Sequence, residues 1–360
     1  MLSNPFPAAS NPLQLPIGKS LGAYTNVGSS ANWANQNFRA QINDRINLTL
    51  LREIPGQFKV DVTWFLNFGR YVPHDDLMNM ADPNLTYTYK AQLSQIIPNP
   101  FFNYLTPDRF PGDLRNQRNV TRGSLLRPYP HYGTLTVNNV SDWRNRYQAL
   151  QLRLQRTYSA GASLLVAYNY NQERQEAYFN DIQQYARQVF WLGSNNARHR
   201  LTVAGVYDFP IGKGRAIGSS FHPVANAIIG GWQVSGIYTY RSGEFIRFPQ
   251  LDVIGDPKIP NPGPNGWFNT SAFRIPEPFT PRTNPYQYPG ITGPRFWNLD
   301  GTLSKFFPLA ESLKLEFRLE AYNVTNSLMW ANPVTAIANP LFGRSTAQAT
   351  GNRGREIQYT

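Results

Sequence analysis

The sequence contains no cysteine, which excludes a disulfide framework, a thiolate metal site and cysteine-based catalysis. It also has no run of about 18 apolar residues, so no helix of this chain is expected to cross a bilayer. Residues 1–20 show no charged segment followed by an apolar core, and the sequence therefore predicts no signal peptide. The chain must be organised without covalent cross-links and without membrane helices.

Aromatic residues, proline and glycine are abundant instead. The chain has 20 Tyr, 22 Phe and 8 Trp, together with 29 Pro and 27 Gly. Short strands joined by turn-rich connections are typical of this composition, whereas long helices are not. The composition predicts an all-β fold, and 360 residues are enough for one large β-domain or two smaller ones.

The clearest pattern is a strict alternation of apolar and charged residues near the carboxyl-terminal end. From Leu313 to Ala321 every odd position is apolar, and the even positions are Lys314, Glu316, Arg318 and Glu320. A period of two residues places each set on its own face of a β-strand. A similar run at 299–303 precedes it across the short segment 308–312, so the two runs predict an antiparallel hairpin with one apolar and one polar face.

Such a hairpin fits two kinds of β protein. In a soluble sandwich the polar face meets water and the apolar face meets a core, whereas in a membrane barrel the polar face lines a lumen and the apolar face meets lipid. The run from Phe58 to Phe68 has six consecutive apolar positions on one face. These positions span about 33 Å along a strand, or about 25 Å once the strand is tilted, which matches the apolar band of an outer-membrane barrel.

The predicted connections alternate between short and long. Strands are predicted near residues 38–51, 58–68, 132–138, 149–155, 164–170, 201–209, 232–240, 299–303, 313–321 and 355–360. The short connections are 54–57, 158–162, 210–231 and 308–312, and the long ones are 71–131, 172–196, 243–295 and 326–354. In an up-and-down meander alternate connections lie at the same end, so we expect short periplasmic turns at one rim and long extracellular loops at the other. Residues 1–36 are predicted to be a further loop, and 71–131 to lack regular structure.

Aromatic residues cluster at the ends of the predicted strands. Amphipathic rings favour a membrane–water boundary, where one end of the side chain stays wet. The predicted lipid-facing and girdle residues are Trp64, Tyr168, Tyr170, Tyr207, Phe209, Trp232, Tyr238, Tyr240, Trp297 and Phe317. Lys305 departs from the pattern, because it lies on the apolar face between Leu303 and Phe307, where its stem could snorkel to a rim.

The charged residues of the polar faces are the candidates for a functional surface. The residues predicted to face a lumen are Arg153, Lys314, Glu316, Arg318 and Glu320. Glu316 and Glu320 share one face of one strand, whereas the two carboxylates of a glycosidase flank the scissile bond, and the neighbouring cations favour ionised carboxylates rather than a proton donor. The adjacent residues His74, Asp75 and Asp76 are poorly placed to converge on one metal ion. The sequence therefore predicts no catalytic site, no metal site, no cofactor and no enzyme.

The net charge of +12 is carried mainly by arginine, since only seven of the 34 basic residues are lysine. The arginines are dispersed among strands and loops, without a basic run and without a nucleic-acid-binding motif, so no nucleic-acid partner is expected. Arginines that line a polar lumen or face acidic lipopolysaccharide explain the charge better.

Several segments resemble the barrel of Oar-like TonB-dependent outer-membrane receptors. These segments are residues 51–56 (LREIPG), 121–130 (TRGSLLRPYP), 147–152 (YQALQL), 230–236 (GGWQVSG), 267–273 (WFNTSAF) and 317–326 (FRLEAYNVTN). They occur in order along nearly the whole chain. The resemblance implies a carboxyl-terminal fragment, about ten strands of an antiparallel up-and-down barrel that has roughly 22 strands in full-length relatives.

The resemblance also implies a location and partners. Residues 1–360 are expected to form a partial barrel in the Gram-negative outer membrane, with 1–36 as an extracellular loop and 37–360 as the strand meander, and with no plug domain. The expected partners are outer-membrane lipid and lipopolysaccharide, and the receptor's own plug and TonB, both outside this chain. The expected function is uptake or export of a bulky substrate of unknown identity.

A second hypothesis remains open at this point. The same composition fits a soluble or surface-attached β-rich module that stacks its aromatic residues on carbohydrate. The two hypotheses differ in what covers the apolar faces of the strands, which is lipid in the barrel and protein in the module.

Overall fold

A computed structural model describes residues 18, 20–178, 189–193, 196–280, 282–310 and 313–360. The strands within these ranges are β1 (Ala31–Ala34), β2 (Ile42–Ile54), β3 (Phe58–Leu77), β4 (Ile96–Pro98), β5 (Asn119–Thr121), β6 (Leu135–Ser159), β7 (Ala162–Tyr178), β8 (Val189–Gly193), β9 (His199–Asp208), β10 (Trp232–Arg241), β11 (Asp252–Val253), β12 (Phe273–Arg274), β13 (Phe296–Ala310), β14 (Leu313–Tyr322) and β15 (Glu356–Tyr359). The α-helices are α1 (Pro83–Tyr89), α2 (Arg122–Leu125) and α3 (Pro223–Ile229). None of the described helices has the length and apolar character that a bilayer span requires.

One large sheet contains most of the strands. Its path is β2, β3, β6, β7, β9, β10, β13, β14 and β15, in chain order and with every neighbouring pair antiparallel. The sheet also includes β1, which pairs in parallel with β6, and β8, which pairs with β7. Within the described residues β2 and β15 are edges, so the sheet is not closed. The predicted antiparallel meander of about ten strands is confirmed.

The register of the ladders separates the side chains into two faces. One row of direct partners is Leu50, Val62, Leu152, Tyr168, Leu201, Tyr240 and Trp297. The adjacent row, on the opposite face, is Leu51, Asp61, Arg153, Ala167, Thr202, Thr239 and Asn298. Direct partners of an antiparallel pair share a face, so we call the side of the first row the apolar face and the side of the second row the polar face.

The apolar face is not covered by a second sheet in the described structure. Leu48 and Leu50 keep 68% of their surface exposed, and Phe317 keeps 56%. In a soluble sandwich these positions would form the core between two sheets. A large, continuous and exposed apolar surface instead indicates contact with another apolar medium or partner.

The main buried core lies in the long connection between β10 and β13. It contains Ile246, Phe248, Leu251, Phe268, Ala272, Phe273 and Ile291. The ring of Phe248 packs on Phe273 with the centroids 5.3 Å apart, and Tyr288 meets both rings edge-on. Burial raises the pKa of the Tyr288 hydroxyl. This predicted loop is therefore a folded cap with its own apolar interior.

Three strands are longer than the sequence pattern predicts. β3 continues nine residues past Phe68, β7 continues to Tyr178, and β6 joins the short predicted run at 132–138 to the next strand without the expected break at 139–144. Asn139 has a φ of 61°, and the β3–β6 register shifts nearby, so the polar segment is accommodated by irregularities within the ladder. Alternation fails here because these residues extend beyond the uniformly apolar part of the face, while backbone pairing continues.

The connection 71–131 was predicted to lack regular structure, and this prediction is wrong. The segment contains the end of β3, α1, β4, β5 and α2. The Asp82 side chain caps α1 by accepting from the Asn84 N–H at 2.7 Å. The Asn79 side chain donates to the carbonyls of Tyr129, Tyr132 and Gly133. Side-chain hydrogen bonds to the backbone order this connection in place of an apolar pattern.

Other predicted loops also contain regular elements. β1 lies in the predicted loop 1–36, β8 lies in 172–196, and α3 occupies the apolar stretch within 210–231. The edges of the 308–312 turn are ordered, since β13 ends at Ala310 and β14 begins at Leu313. Residues 1–17, 19, 179–188, 194–195 and 311–312 of these predicted connections lie outside the described residues.

The pairing of β10 with β13 can be tested across the long connection between them. Ser235 and Thr302 are direct partners, so in this cysteine-free chain the double variant Ser235→Cys/Thr302→Cys should form a disulfide on mild oxidation, seen as a linked peptide pair by mass spectrometry. The control Ser235→Cys/Leu303→Cys places the thiols on opposite faces and should stay reduced. Equal cross-linking of both variants would contradict the register.

Candidate functional site

The polar face carries two neighbouring hollows. A cavity of about 530 Å³ extends from β6 to β14, with Arg153 at one side and Glu320 at the other. A second hollow of about 400 Å³ shares Arg153 and adds Asp61 and Arg200. The five residues predicted to face a lumen therefore lie on one face, and two of them line its main cavity.

Three of the five residues form a charged ladder on β14. The guanidinium of Arg318 contacts both carboxylates: Nη2 lies 3.1 Å from Glu316 Oε1, and Nη1 lies 3.6 Å from Glu320 Oε1. The hydroxyl of Ser304 donates to Glu316 at 2.9 Å, and the Gln358 amide donates to Glu320. Both carboxylates therefore accept from cationic or neutral donors. These contacts link the side chains of β14 into a charged, hydrogen-bonded wall.

The other two predicted residues occupy separate positions. Arg153 donates to the Gln155 amide oxygen at 2.8 Å, in the row of Asp61 and Thr202 across the sheet. Lys314 is exposed and lies opposite Pro308, near the short turn at the rim. The polar face thus distributes its charges along the full height of the sheet and does not concentrate them in one reactive centre.

Several further polar residues lie on this face beside the five predicted ones. Asp61, Arg200, Ser235, Asp300 and Thr302 line the same hollows. Each occupies a polar position in its own alternating run, so the signal was present in the sequence. What the sequence lacks is the register between strands, which decides which of these positions face one another.

The aromatic residues of the apolar face fall into two groups. The group nearer the long connections contains Trp64, Tyr168, Tyr170, Tyr238, Tyr240 and Trp297, and the group nearer the short turns contains Tyr207, Phe209, Trp232 and Phe317. Tyr207 packs edge-on against Phe209, and Phe307 against Phe317. On β13, Trp297 and Phe307 mark the two groups, and ten residues at about 3.3 Å each, tilted by about 40°, separate them by about 25 Å.

The sequence pattern predicted that these aromatic residues lie at strand ends, but some of them do not. Trp64, Tyr168 and Tyr170 are in the middle of β3 and β7, because both strands continue well past these aromatic residues. Tyr168 donates to or accepts from His199 Nδ1 at 2.7 Å. The two aromatic groups therefore follow the position of each residue along the sheet and not the end of each strand.

The exceptional Lys305 on the apolar face has a structural explanation. Its ammonium donates to the Gly230 carbonyl at the end of α3 and lies 5.2 Å from the Trp232 ring and 5.0 Å from the Phe307 ring. Only 5% of the residue is exposed. The adjacent Gly231 has a φ of 70°, and a Cβ there would lie 2.6 Å from the Phe306 carbonyl oxygen. The turn beside the buried Lys305 ammonium therefore requires a glycine.

The three residues considered as metal ligands take different partners. His74 Nε2 lies 2.8 Å from Asp142 Oδ1, and its ring stacks on Trp143 at 4.2 Å. Asp75 accepts from the Asn139 N–H, whereas Asp76 accepts from the Tyr178 hydroxyl. The three side chains order the junction of β3, β6 and β7.

Comparison with protein families gives one match, a family described as Outer membrane beta barrel domain, over residues 1–358. The chain belongs to this family. It is therefore a β-barrel domain of the Gram-negative outer membrane, and the choice between sandwich and barrel is resolved in favour of the barrel. A comparison with curated proteins finds no match.

Several solved outer-membrane structures are similar to this barrel domain. The transporter YddB from Escherichia coli shares 8% identity at a TM-score of 0.43, covering 92% of this chain and 34% of that chain. The pyoverdine receptor FpvA from Pseudomonas aeruginosa PAO1, bound to pyoverdine, shares 8% identity at a TM-score of 0.40. The match covers 89% of this chain and 29% of that chain. The FpvAI–pyocin S2 complex shares 8% identity at a TM-score of 0.41, and the match covers 89% of this chain and 27% of that chain. The barrel domain spans about a third or less of the length of these structures.

Removing the charge of Lys305 should loosen the turn that it holds. Lys305→Met keeps the aliphatic stem but loses the charged hydrogen bond to Gly230, worth about 1.5–3 kcal/mol. The Phe306 N–H, which donates to the Gly231 carbonyl at 2.9 Å, should exchange with solvent about tenfold faster or more. The control Lys213→Met changes an exposed lysine of the same connection and should leave the rate unchanged. An unchanged rate in Lys305→Met would show that the contact does not stabilise the turn.

Proposed function

We propose that the chain is part of the wall of a TonB-dependent transporter, which moves a bulky substrate across the outer membrane by import or export. The observation that carries the proposal is the continuous register of nine strands, which puts the charged ladder on one face and the aromatic and aliphatic rows on the other. Membership of an outer-membrane barrel family supports lipid as the medium that covers the apolar face.

In this function the polar face lines the passage. Arg153 and Glu320 lie across a hollow about 530 Å³ in volume, and Arg318 bridges two carboxylates. Such a surface holds water and offers both signs of charge, so it suits contact with a plug domain that must move during transport. Ion pairs exposed to water contribute little to stability, which allows their partners to be exchanged at small cost.

The ends of β10 and β13 nearest the long connections offer a place for ligand capture. A hollow of about 370 Å³ lies there between the strand ends and the folded cap. Arg241 stacks over Phe296 with its guanidinium 4.5 Å from the ring centroid, and Arg295, Trp330 and Asn332 line the same space. Cationic and aromatic groups together favour a ligand with anionic or aromatic parts.

The wall itself acts without chemistry in this proposal. Energy would reach the transporter from the inner membrane through TonB and a plug domain, so the wall would need no cofactor. Glu316 and Glu320 are half-buried and both pair with Arg318, which supports an electrostatic role for the two carboxylates and not an enzymatic one.

Two adjacent residues of β14 provide a matched test. Leu319 is 45% exposed in the chain alone and lies on the apolar face, whereas Glu320 lies on the polar face. In outer membranes, Glu320→Cys should react with a water-soluble, membrane-impermeant maleimide once the vesicles are opened, while Leu319→Cys should be protected by lipid. We expect at least a tenfold difference in labelling rate, measured by mass spectrometry of the labelled peptide.

The same pair distinguishes the soluble module. If water covers the apolar face, both thiols react at similar rates, and the barrel function must be abandoned. A lipid-soluble photoreactive probe gives the complementary result, since it should mark Leu315 and Phe317 and spare Arg318 and Glu320.

A further inference from the structure

The apolar face changes character beyond the Trp64 row, on the side of the long connections. The next row outward contains Ile46, Leu66, Gln148 and Gln172, and the one after it contains Asp44, Phe68, Arg146 and Arg174. Arg70 and Arg144 are direct partners in the third row. All four arginines are exposed. One surface therefore passes from aromatic to amide to strongly basic within a few residues.

The charges of this surface are only partly balanced by its own carboxylates. Arg144 donates through Nε and Nη2 to Glu176, at 3.0 and 2.6 Å, and Arg70 contacts Asp44 at 2.9 Å. Asp142, one row further out, lies 2.8 Å from His74 Nε2. Among the described residues, neither Arg146 nor Arg174 forms an ion pair with a carboxylate, which leaves two guanidinium groups directed outward.

Neighbouring contacts hold one of these guanidinium groups in position. The Arg146 guanidinium lies 5.3 Å from the Phe68 ring centroid and donates to Gln148 Oε1 at 3.2 Å. The Gln148 amide in turn donates to Gln172 at 2.8 Å. A planar guanidinium fixed in this way is suited to bidentate hydrogen bonds with phosphate.

The height of the arginines at the edge of the apolar band identifies the medium that they meet. Phe68, the direct partner of Arg146, is the last apolar position of the run that begins at Phe58, and it lies about 25 Å from Phe58 along the membrane normal after tilting. The headgroup layer begins at the edge of the hydrocarbon, and a flexible arginine side chain reaches several ångströms toward it. On the side of the long, extracellular connections this layer is the phosphorylated glycolipid of the outer leaflet.

We propose that Arg146 and Arg174, supported by Arg70 and Arg144, form a binding site for the phosphate groups of lipid A on the outer surface of the barrel. The site rests on the proposed function, because it requires lipid on the apolar face. It is separate from the passage, since all four arginines lie on the opposite side of the sheet from Arg153 and Glu320. It would fix the height and orientation of this part of the wall in the outer leaflet.

The test uses the full chain reconstituted in phosphatidylcholine vesicles. Energy transfer from the protein's tryptophans to dansyl-labelled lipid A reports binding as the mole fraction of lipid A rises. The half-saturating fraction should increase about fivefold in Arg146→Gln or Arg174→Gln and about 25-fold in the double variant, as expected for the loss of one charge contact each near a lipid surface. Lysine at both positions should restore a large part of the binding.

A matched control lies on the other face at nearly the same height. Arg45 is exposed and donates to Asn67 Oδ1 at 3.3 Å in the row between Leu66 and Phe68. Arg45→Gln removes the same charge and should shift half-saturation less than twofold. An equal shift in this control would show that net charge alone attracts the lipid and would overturn the site.

Two further lipids define the ligand. Dephosphorylated lipid A and dansyl-labelled phosphatidylglycerol should both bind at least tenfold more weakly, and equal binding of either would overturn the assignment to lipid A phosphates. In the same vesicles, protection of Leu319→Cys from the impermeant maleimide reports whether the apolar face is in lipid. Protection without a lipid A preference defeats only the site, whereas loss of protection defeats the proposed function as well.

Discussion

The continuous antiparallel ladder is the constraint on which the rest of the structure depends. Every strand of the main path pairs with its neighbours along the chain, and the shared register carries each apolar row across the sheet without a change of face. A slip of one residue in any ladder would place an entire strand's apolar side chains among the charges of the polar face. In lipid such a slip would also leave polar groups without water, so membrane and ladder favour the same register.

The folded cap and the sheet depend on different surroundings for their stability. The described sheet has little protein core of its own, and Leu48, Leu50 and Phe317 remain exposed in the chain. The compact apolar core lies in the folded cap between β10 and β13, around Phe248 and Phe273. The cap can hold its shape in water by burying aromatic rings, whereas the wall needs lipid outside and a closed ring of neighbours at its edges.

Charges on the apolar face are placed where a polar partner or a polar layer is available. Lys305 is sequestered by the Gly230 carbonyl and two aromatic rings near the short turns. Arg144 and Arg70 lie beyond the Trp64 row, where each pairs with a carboxylate, Glu176 and Asp44 respectively. Both cases follow from the cost of an unpaired charge in an apolar medium. In both cases the charge lies toward an end of the apolar rows and has a partner there.

The sequence by itself determined the alternating faces, the all-β class and the separation of short turns from long connections, because a two-residue period is a property of the strand alone. It also placed Arg153, Glu316, Arg318 and Glu320 on one type of face. Only the tertiary structure decided where β3, β6 and β7 end and that the connections 71–131 and 243–295 are folded. It also decided which polar residues face one another across the hollow. Those features depend on pairing with distant strands and on side-chain contacts such as Asn79 with Gly133, which no local period encodes.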